Sequence, residues 1–282
     1  MTGGMRESHG PTVGRVLDLL DGLAPFSLAE EWDNVGLMVG DPGAAVTGIL
    51  VALDVTAAVL DEATRHRCNL VVSHHPAIFH PISHLRTDQP TAALAIHAVT
   101  AGIAVIGCHT NLDKIDLGVN GALATALGLA AWEPLEPSDS GIGFGLIGDL
   151  PAPAKGSDFV LRIGRTLGCA VVKVAGPVPE RVVRVAACGG SGSDLAAVAR
   201  DRGADIYCSG EIKHAIGRWA EAVGFCVVDA GHWATEQVVV APLAAELTRR
   251  LAAAGMPVPV RTSEVLTDVF ASVTITGREG ES

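Results

Sequence analysis

Four stretches of this chain could hold a divalent cation. His109-Thr110-Asn111-Leu112-Asp113 and His232-Trp233-Ala234-Thr235-Glu236 share the spacing H-x-x-x-[DE], and each follows an apolar run. An imidazole and a carboxylate four residues apart share one face of a helical turn, and both are good ligands for divalent metals. His74-His75 ends a third apolar run and Gly210-Glu211 a fourth. Together these offer four imidazoles and three carboxylates, more than one tetrahedral ion needs. They suit two divalent ions about 3.5–4 Å apart, bridged by a carboxylate and a water. Glu236 is the natural bridge, because a carboxylate can face two ions. Adjacent side chains of an extended segment point to opposite sides. His74 and His75 therefore bind different ions, or one binds while the other aligns a neighbour. Such a site predicts hydrolysis, since water on a divalent ion deprotonates near neutral pH and attacks carbon or phosphorus.

Each piece also has a structural reading. A single H-x-x-x-D can cap a helix, Thr235-Glu236 can be ordinary helix-start polarity, and His232 can be a satisfied surface histidine. The metal reading rests on all of them falling at equivalent strand ends. His9, His66, His80, His84 and His97 lack that placement and read as structural or solvated, with His84 near enough to His74-His75 to touch a substrate. Gly189-Gly190-Ser191-Gly192-Ser193 reads as a phosphate loop before a helix or as a tight turn, and it lacks the P-loop lysine.

The elements that must position these residues follow a β-α-β pattern. Pro11-Thr12 opens a helix to about Leu23, with Val13, Val16, Leu17 and Leu20 on one face. Buried strands are expected at Ile49–Leu53, Leu70–Val72 and Ile103–Gly107, separated by helices from Thr56 to Arg67 and from Thr91 to Ala101. A further helix spans Val119–Leu127. From Val182 the pattern repeats. Arg184–Ala187 matches Leu50–Leu53, a helix over Asp194–Arg202 matches the Thr56 helix, and Asp205–Ser209 matches Asn69–Ser73. Glu211 then stands where His74-His75 stood, and after a strand at Phe225–Asp229, His232 stands where His109 stood. A terminal helix is expected over Thr235–Ala254 and an edge strand over Phe270–Thr276.

The expected architecture is therefore α/β, with two related lobes of mostly parallel sheet packed around a shared metal cleft. Residues 11–131 form the first lobe and 181–282 the second. Residues 132–180 form a connecting segment with its own strand-helix-strand unit, at Phe144–Ile147, Asp158–Leu167 and Ala170–Val174. Ligands of such sheets bind beyond the carboxyl ends of the strands, where all four candidate stretches lie.

Composition narrows the function classes. The chain has 282 residues, 49% of them apolar and only 4% aromatic, which suits a Val/Leu/Ile/Ala core under a parallel sheet. The net charge of -11, without a basic cluster, disfavours general nucleic-acid binding. Six cysteines form no C-x-x-C pair and read as buried free thiols in a reducing compartment. Met1–Pro11 has no apolar core of a signal peptide, and no uncharged apolar stretch is long enough to span a membrane. The expectation is a cytoplasmic protein.

These motifs resemble the NIF-three-like family, whose members are also called GTP cyclohydrolase 1 type 2 homologues. The matching stretches are Trp32-Asp33-Asn34-Val35-Gly36-Leu37, Ala52-Leu53-Asp54-Val55-Thr56, Ser73-His74-His75-Pro76, His109 to Asp113, Gly118-Val119-Asn120, Cys188 to Gly192, Ser209-Gly210-Glu211 and Gly231 to Glu236. The resemblance implies a two-lobed α/β fold and a dinuclear site with ligands at His74, His75, Asp113, His232 and Glu236. It places His109 beside them, as a further ligand or a group that orients one, and Glu211 close by. His109 and Glu211 are the candidates for proton transfer. It also implies ring-like homohexamers. The segment 132–180 is too short for the extra domain of some members. Asp268-Val269-Phe270 departs from the family's usual Asp-Pro-Phe.

Two main functions follow. The first is a dinuclear metal-dependent hydrolase acting on a nucleotide-type small molecule, with GTP ring opening as the named guess. The second is a non-catalytic metal-binding scaffold acting through protein partners. A third, an enzyme of single-stranded nucleic acid inside a central ring opening, is opposed by the missing basic patch. The metal is one of Zn, Mn, Fe, Co or Ni.

Overall fold

The computed structural model describes residues 10–137 and 143–273. Thr12 caps α1 (Val13–Asp21), its hydroxyl accepting from the Arg15 amide. There follow β1 (Gly36–Val39), β2 (Ile49–Ala52), α2 (Ala57–Arg65), β3 (Leu70–Ser73), α3 (Pro90–Ala101) and β4 (Ala104–Gly107). β2, β3 and β4 are buried on both faces and pair in parallel, which is why they read as unbroken apolar runs. Along β2, Ile49 and Val51 face one cluster and Leu50 and Ala52 the other.

The chain then forms α4 (Thr110–Asp113), α5 (Val119–Leu127), β5 (Ala131–Pro137), β6 (Gly143–Lys155), α6 (Gly156–Thr166), β7 (Lys173–Ala175), β8 (Arg181–Ser191), α7 (Ala196–Asp201), β9 (Ile206–Gly210), α8 (His214–Val223) and β10 (Cys226–Asp229). The last elements among the described residues are α9 (His232–Glu236), α10 (Val240–Ala253) and β11 (Val260–Thr262). The architecture is α/β on two sheets, ordered β1-β4-β3-β2-β11 and β5-β6-β8-β9-β10-β7. The repeated order is present: β8, β9 and β10 run parallel, as β2, β3 and β4 do. α1 and α10 cover one face of the first sheet through Leu20, Leu243 and Leu247, while α2 and α3 cover the other.

The expectation of mostly parallel sheets describes the first sheet, where only the β1–β4 pair is antiparallel. The second is mixed, because β5–β6, β6–β8 and β7–β10 are antiparallel. β5 and β6 are separated by only five residues, too few for the crossover that parallel strands need. Strands of the 132–180 segment thus line both edges of this sheet, and β11 from the carboxyl-terminal part extends the first. The strand expected at Phe144–Ile147 is the first part of β6; proline explains why β5 and the rest of β6 are hard to read as strands. Pro134 lies on edge strand β5, and Pro151 and Pro153 fall where the β6–β8 register shifts, between Asp149 and Ala154. These are the positions where a strand tolerates a missing N–H.

The single helix expected over Thr235–Ala254 is broken instead. α9 passes through a 3-10 turn (Gln237–Val239) before α10. Pro242 cannot donate to the carbonyl one turn back, so the ladder restarts with the proline in the first turn of α10. Residues 270–273 of the expected last strand have no regular structure, and 274–276 lie outside the described residues. The six cysteines are free thiols, five of them buried. Among the described residues, no helix is long and apolar enough to cross a membrane.

Candidate metal centre

All four candidate stretches lie just past the carboxyl ends of parallel strands. His74 and His75 continue β3 beside β2, their amides donating to the carbonyls of Ala52 and Leu53. His109 follows β4, Glu211 follows β9, and His232 follows β10 after the turn Ala230-Gly231. His75 of the first half and His232 of the second meet, with 3.3 Å between their Nε2 atoms. Ring nitrogens of His74, His75 and His109 lie within 4.8 Å of one another, as do donor atoms of His75, His232 and Glu236. The described residues therefore contain a His/Glu group able to bind a metal ion.

Glu236 is the centre of this group and is 4% exposed. Its Oε2 lies 2.8 Å from His75 Nε2 and 2.9 Å from His232 Nε2, and its Oε1 lies 3.6 Å from His74 Nε2. Asp113 Oδ1 approaches the same His74 nitrogen at 3.7 Å. The two oxygens of one carboxylate thus face different histidines.

The outer nitrogens of the rings are held separately. His74 Nδ1 donates to the Cys108 carbonyl at 3.0 Å. His75 Nδ1 donates to Asp54 Oδ1 at 2.7 Å, and His109 Nδ1 to Asp33 Oδ1 at 2.8 Å. Each contact fixes a tautomer with the Nε2 lone pair free, the arrangement typical of metal-ligating histidine. His232 Nδ1 is held more loosely, 3.3 Å from Glu211 Oε1 without hydrogen-bond geometry. Asp33 does more than orient one ring: its Oδ2 also accepts from the Thr110 amide, which opens α4 and so places Asp113. Sequence alone does not single out Asp33 and Asp54 as site residues, although both lie in the matching motifs and Asp54 follows the end of β2.

The electrostatics call for positive charge. Burial disfavours protonated His74 and His75, yet carboxylates raise both: Asp113 and Glu236 for His74, and Asp54 and Glu236 for His75, which reaches about 10. The Glu236 contact likewise raises His232. Burial pushes Glu236 up, but His74, His232 and His75 more than offset this and hold it well below the ordinary range. Burial, aided by Glu236, raises Asp113 to about 6. Burial also raises Asp33, but hydrogen bonds from His109 and Thr110 win and hold it well below a normal carboxylate. His74 Nε2 and Glu236 Oε2 are buried without a hydrogen-bond partner. Acceptors that face acceptors in a buried, anionic pocket fit a divalent cation.

The second half contributes backbone as well as candidate metal-binding side chains. Gly190 has φ +64°, and a Cβ there would lie 2.1 Å from Glu236 Oε1. At Gly210 a Cβ would lie 2.6 Å from the His232 amide. The Gly189–Ser193 stretch is neither a phosphate loop nor a free turn. It finishes β8, and the amides of Gly189, Gly190 and Gly192 donate to Asn120, Thr235 and Ser209. Asn120 also donates to the Asp113 carbonyl at 2.9 Å, tying the Asp113 turn to β8. Glu211 reaches the rim only, half exposed and with backbone φ 55°. His84 bonds Ser83 and His97 faces Asp61, away from the group, and His9 lies outside the described residues. A cavity of about 740 Å³ opens beside His75 and His232, lined also by Glu211, Lys173, Trp233 and Phe270.

Residues 11–268 match the family described as Duf34/NIF3 (NGG1p interacting factor 3). A Clostridium acetobutylicum protein named GTP cyclohydrolase 1 type 2 homolog is 31% identical over 251 residues, 88% of this chain and 93% of that protein. A Streptomyces coelicolor protein of the same name is 33% identical over 266 residues, 92% and 93% of the two chains. Among solved structures, a hypothetical protein of Staphylococcus aureus superposes with a TM-score of 0.89 at 28% identity, covering 94% of this chain and all of that one. A Bacillus cereus protein related to NIF3 shares the fold at the same TM-score and 24% identity, over 94% of this chain and all of that one.

Proposed function

The chain belongs to the Duf34/NIF3 family, and from that premise we propose that it is a dinuclear, divalent-metal-dependent hydrolase of a nucleotide-type substrate, with GTP ring opening as the first reaction to try. The observation that carries this reading is that the two oxygens of buried Glu236 face separate histidine sets. His74, Asp113 and Glu236 Oε1 would hold one ion, and His75, His232 and Glu236 Oε2 the other. Bound ions would supply Lewis acidity, polarising the substrate and making water a stronger acid.

The chain's own residues do the rest. Asp54 and the Cys108 carbonyl lock the tautomers of His75 and His74. Asp33 locks His109, whose ring sits beside His74 and His75, with centroids 5.2 and 5.7 Å away, and moves a proton at the rim. Glu211 exchanges the proton at His232 Nδ1 with solvent. The ring-shaped homohexamer and the cytoplasmic location belong to the same proposal.

The test is metal analysis of the purified chain, followed by incubation of the loaded protein with GTP and assay for formate. Two ions per chain and formate release are expected. Bound metal without formate, but with cleavage of another nucleotide, removes the guanine assignment. Bound metal without turnover on a broad hydrolase panel leaves the scaffold reading. Light scattering tests the hexamer.

A further inference from the structure

The chain is poor in aromatics, yet two of them stand exposed at the rim of the histidine cluster. Trp32 is 59% exposed and Phe79 37%. Their centroids are 6.0 Å apart, and they lie 6.2 and 6.1 Å from the His109 ring, at 76° and 81° to its plane. Both loops are fixed. Asp33, next to Trp32, is pinned to His109 and Thr110. Asn34 donates from its side chain to the Ile78 carbonyl, next to Phe79. The loops that carry the two rings are therefore tied down by part-buried polar contacts.

The geometry points to a subsite for a planar heteroaromatic ring beside His109, stacked on the face of Trp32 with Phe79, tilted 49° to it, against the ring's edge. Exposed aromatic faces bind such rings by stacking, with little dependence on which ring it is. Centroids about 6 Å from His109 bring the edge of a stacked ring to the cluster. The 740 Å³ cavity beside His75 and His232 is not lined by Trp32 or Phe79; the aromatic pair stands on the His109 side of the cluster. That side takes the planar part of the substrate. The inference takes its location from the proposed metal centre, but it stands on the aromatic pair.

The test is binding of the uncharged nucleosides guanosine and adenosine, with ribose as the ring-free control, to the full metal-loaded chain by calorimetry or saturation-transfer NMR. Both nucleosides should bind and ribose should not. Trp32→Leu should weaken nucleoside binding at least about tenfold, the scale of one lost stacking contact. Phe79→Leu should weaken it less, and Phe270→Ala, at the other opening, should leave it unchanged. Metal content measured on the same samples separates this proposal from the metal reading: an unchanged ion count in Trp32→Leu keeps the centre intact. The subsite is overturned if wild type binds neither nucleoside. It is also overturned if Trp32→Leu binds them as tightly as wild type, if affinity follows Phe270, or if Trp32→Leu changes only the oligomeric state.

Discussion

The two H-x-x-x-[DE] segments have one spacing and two geometries. In the second, His232 is the first residue of α9, and its Nε2 meets Glu236 of the same helix at 2.9 Å. In the first, His109 precedes α4 as its cap, with φ -107° and ψ -109°. Its ring leaves the helical row and is taken by Asp33, while Asp113 faces His74 instead. The outer partners differ too: buried Asp33 clamps His109, whereas half-exposed Glu211 only approaches His232. A four-residue spacing makes a pair only when both residues lie inside the helix. One residue of displacement turns an internal pair into two long-range contacts.

The largest effect should come from Glu236→Ala, which removes both oxygens at once. If the proposed dinuclear site holds, metal content should fall from two ions per chain to nearly none, beyond the ~10–100-fold affinity loss typical of an outer partner. Retention of two ions would show that the second segment is not the centre of the site.

Asp33→Asn should be next. It strips a buried carboxylate of its charge where it accepts from His109 and Thr110, at a cost of about 3 kcal/mol in urea unfolding at pH 7. The folded pKa of Asp33 is depressed. Its stabilisation is therefore present above the unfolded value of about 3.9 and is lost as pH falls through the lower folded value. The gap between wild type and Asp33→Asn should accordingly narrow below about pH 4. A gap that stays constant down to pH 2 would contradict the clamp.

Gly190→Ala should cost about 2 kcal/mol, because φ is +64° and the new Cβ meets Glu236. It should also lower metal content, read by the same metal analysis. Glu211→Gln should be smallest, within about 0.5 kcal/mol, since this carboxylate is half exposed. A stability loss equal to that of Asp33→Asn would erase the asymmetry between the two segments.

Much of this centre was legible before folding was considered. Apolar runs ending in His74-His75, His109 and His232 predict strands with ligands at their carboxyl ends, and that is where these residues lie. The helix over Val119–Leu127 has the expected bounds. Less legible were β5 and the second part of β6, whose prolines mimic a linker, and the break between α9 and α10, where one proline overrides a continuous helical pattern. Asp33 and Asp54 were visible as motif residues, but their role was not, because each acts on a histidine 76 or 21 residues away.

The sequence by itself determined the α/β pattern, the repeated strand order and the donors at strand ends. These follow from local periodicity, since a buried strand must be apolar and its end is where polar side chains return. Only the tertiary structure decided which oxygen of Glu236 faces which histidine, which group holds each outer ring nitrogen, and that Trp32 and Phe79 stand open beside His109. Those contacts join segments far apart in the chain. Their geometry depends on which distant strands and loops the fold brings together, which no local spacing encodes.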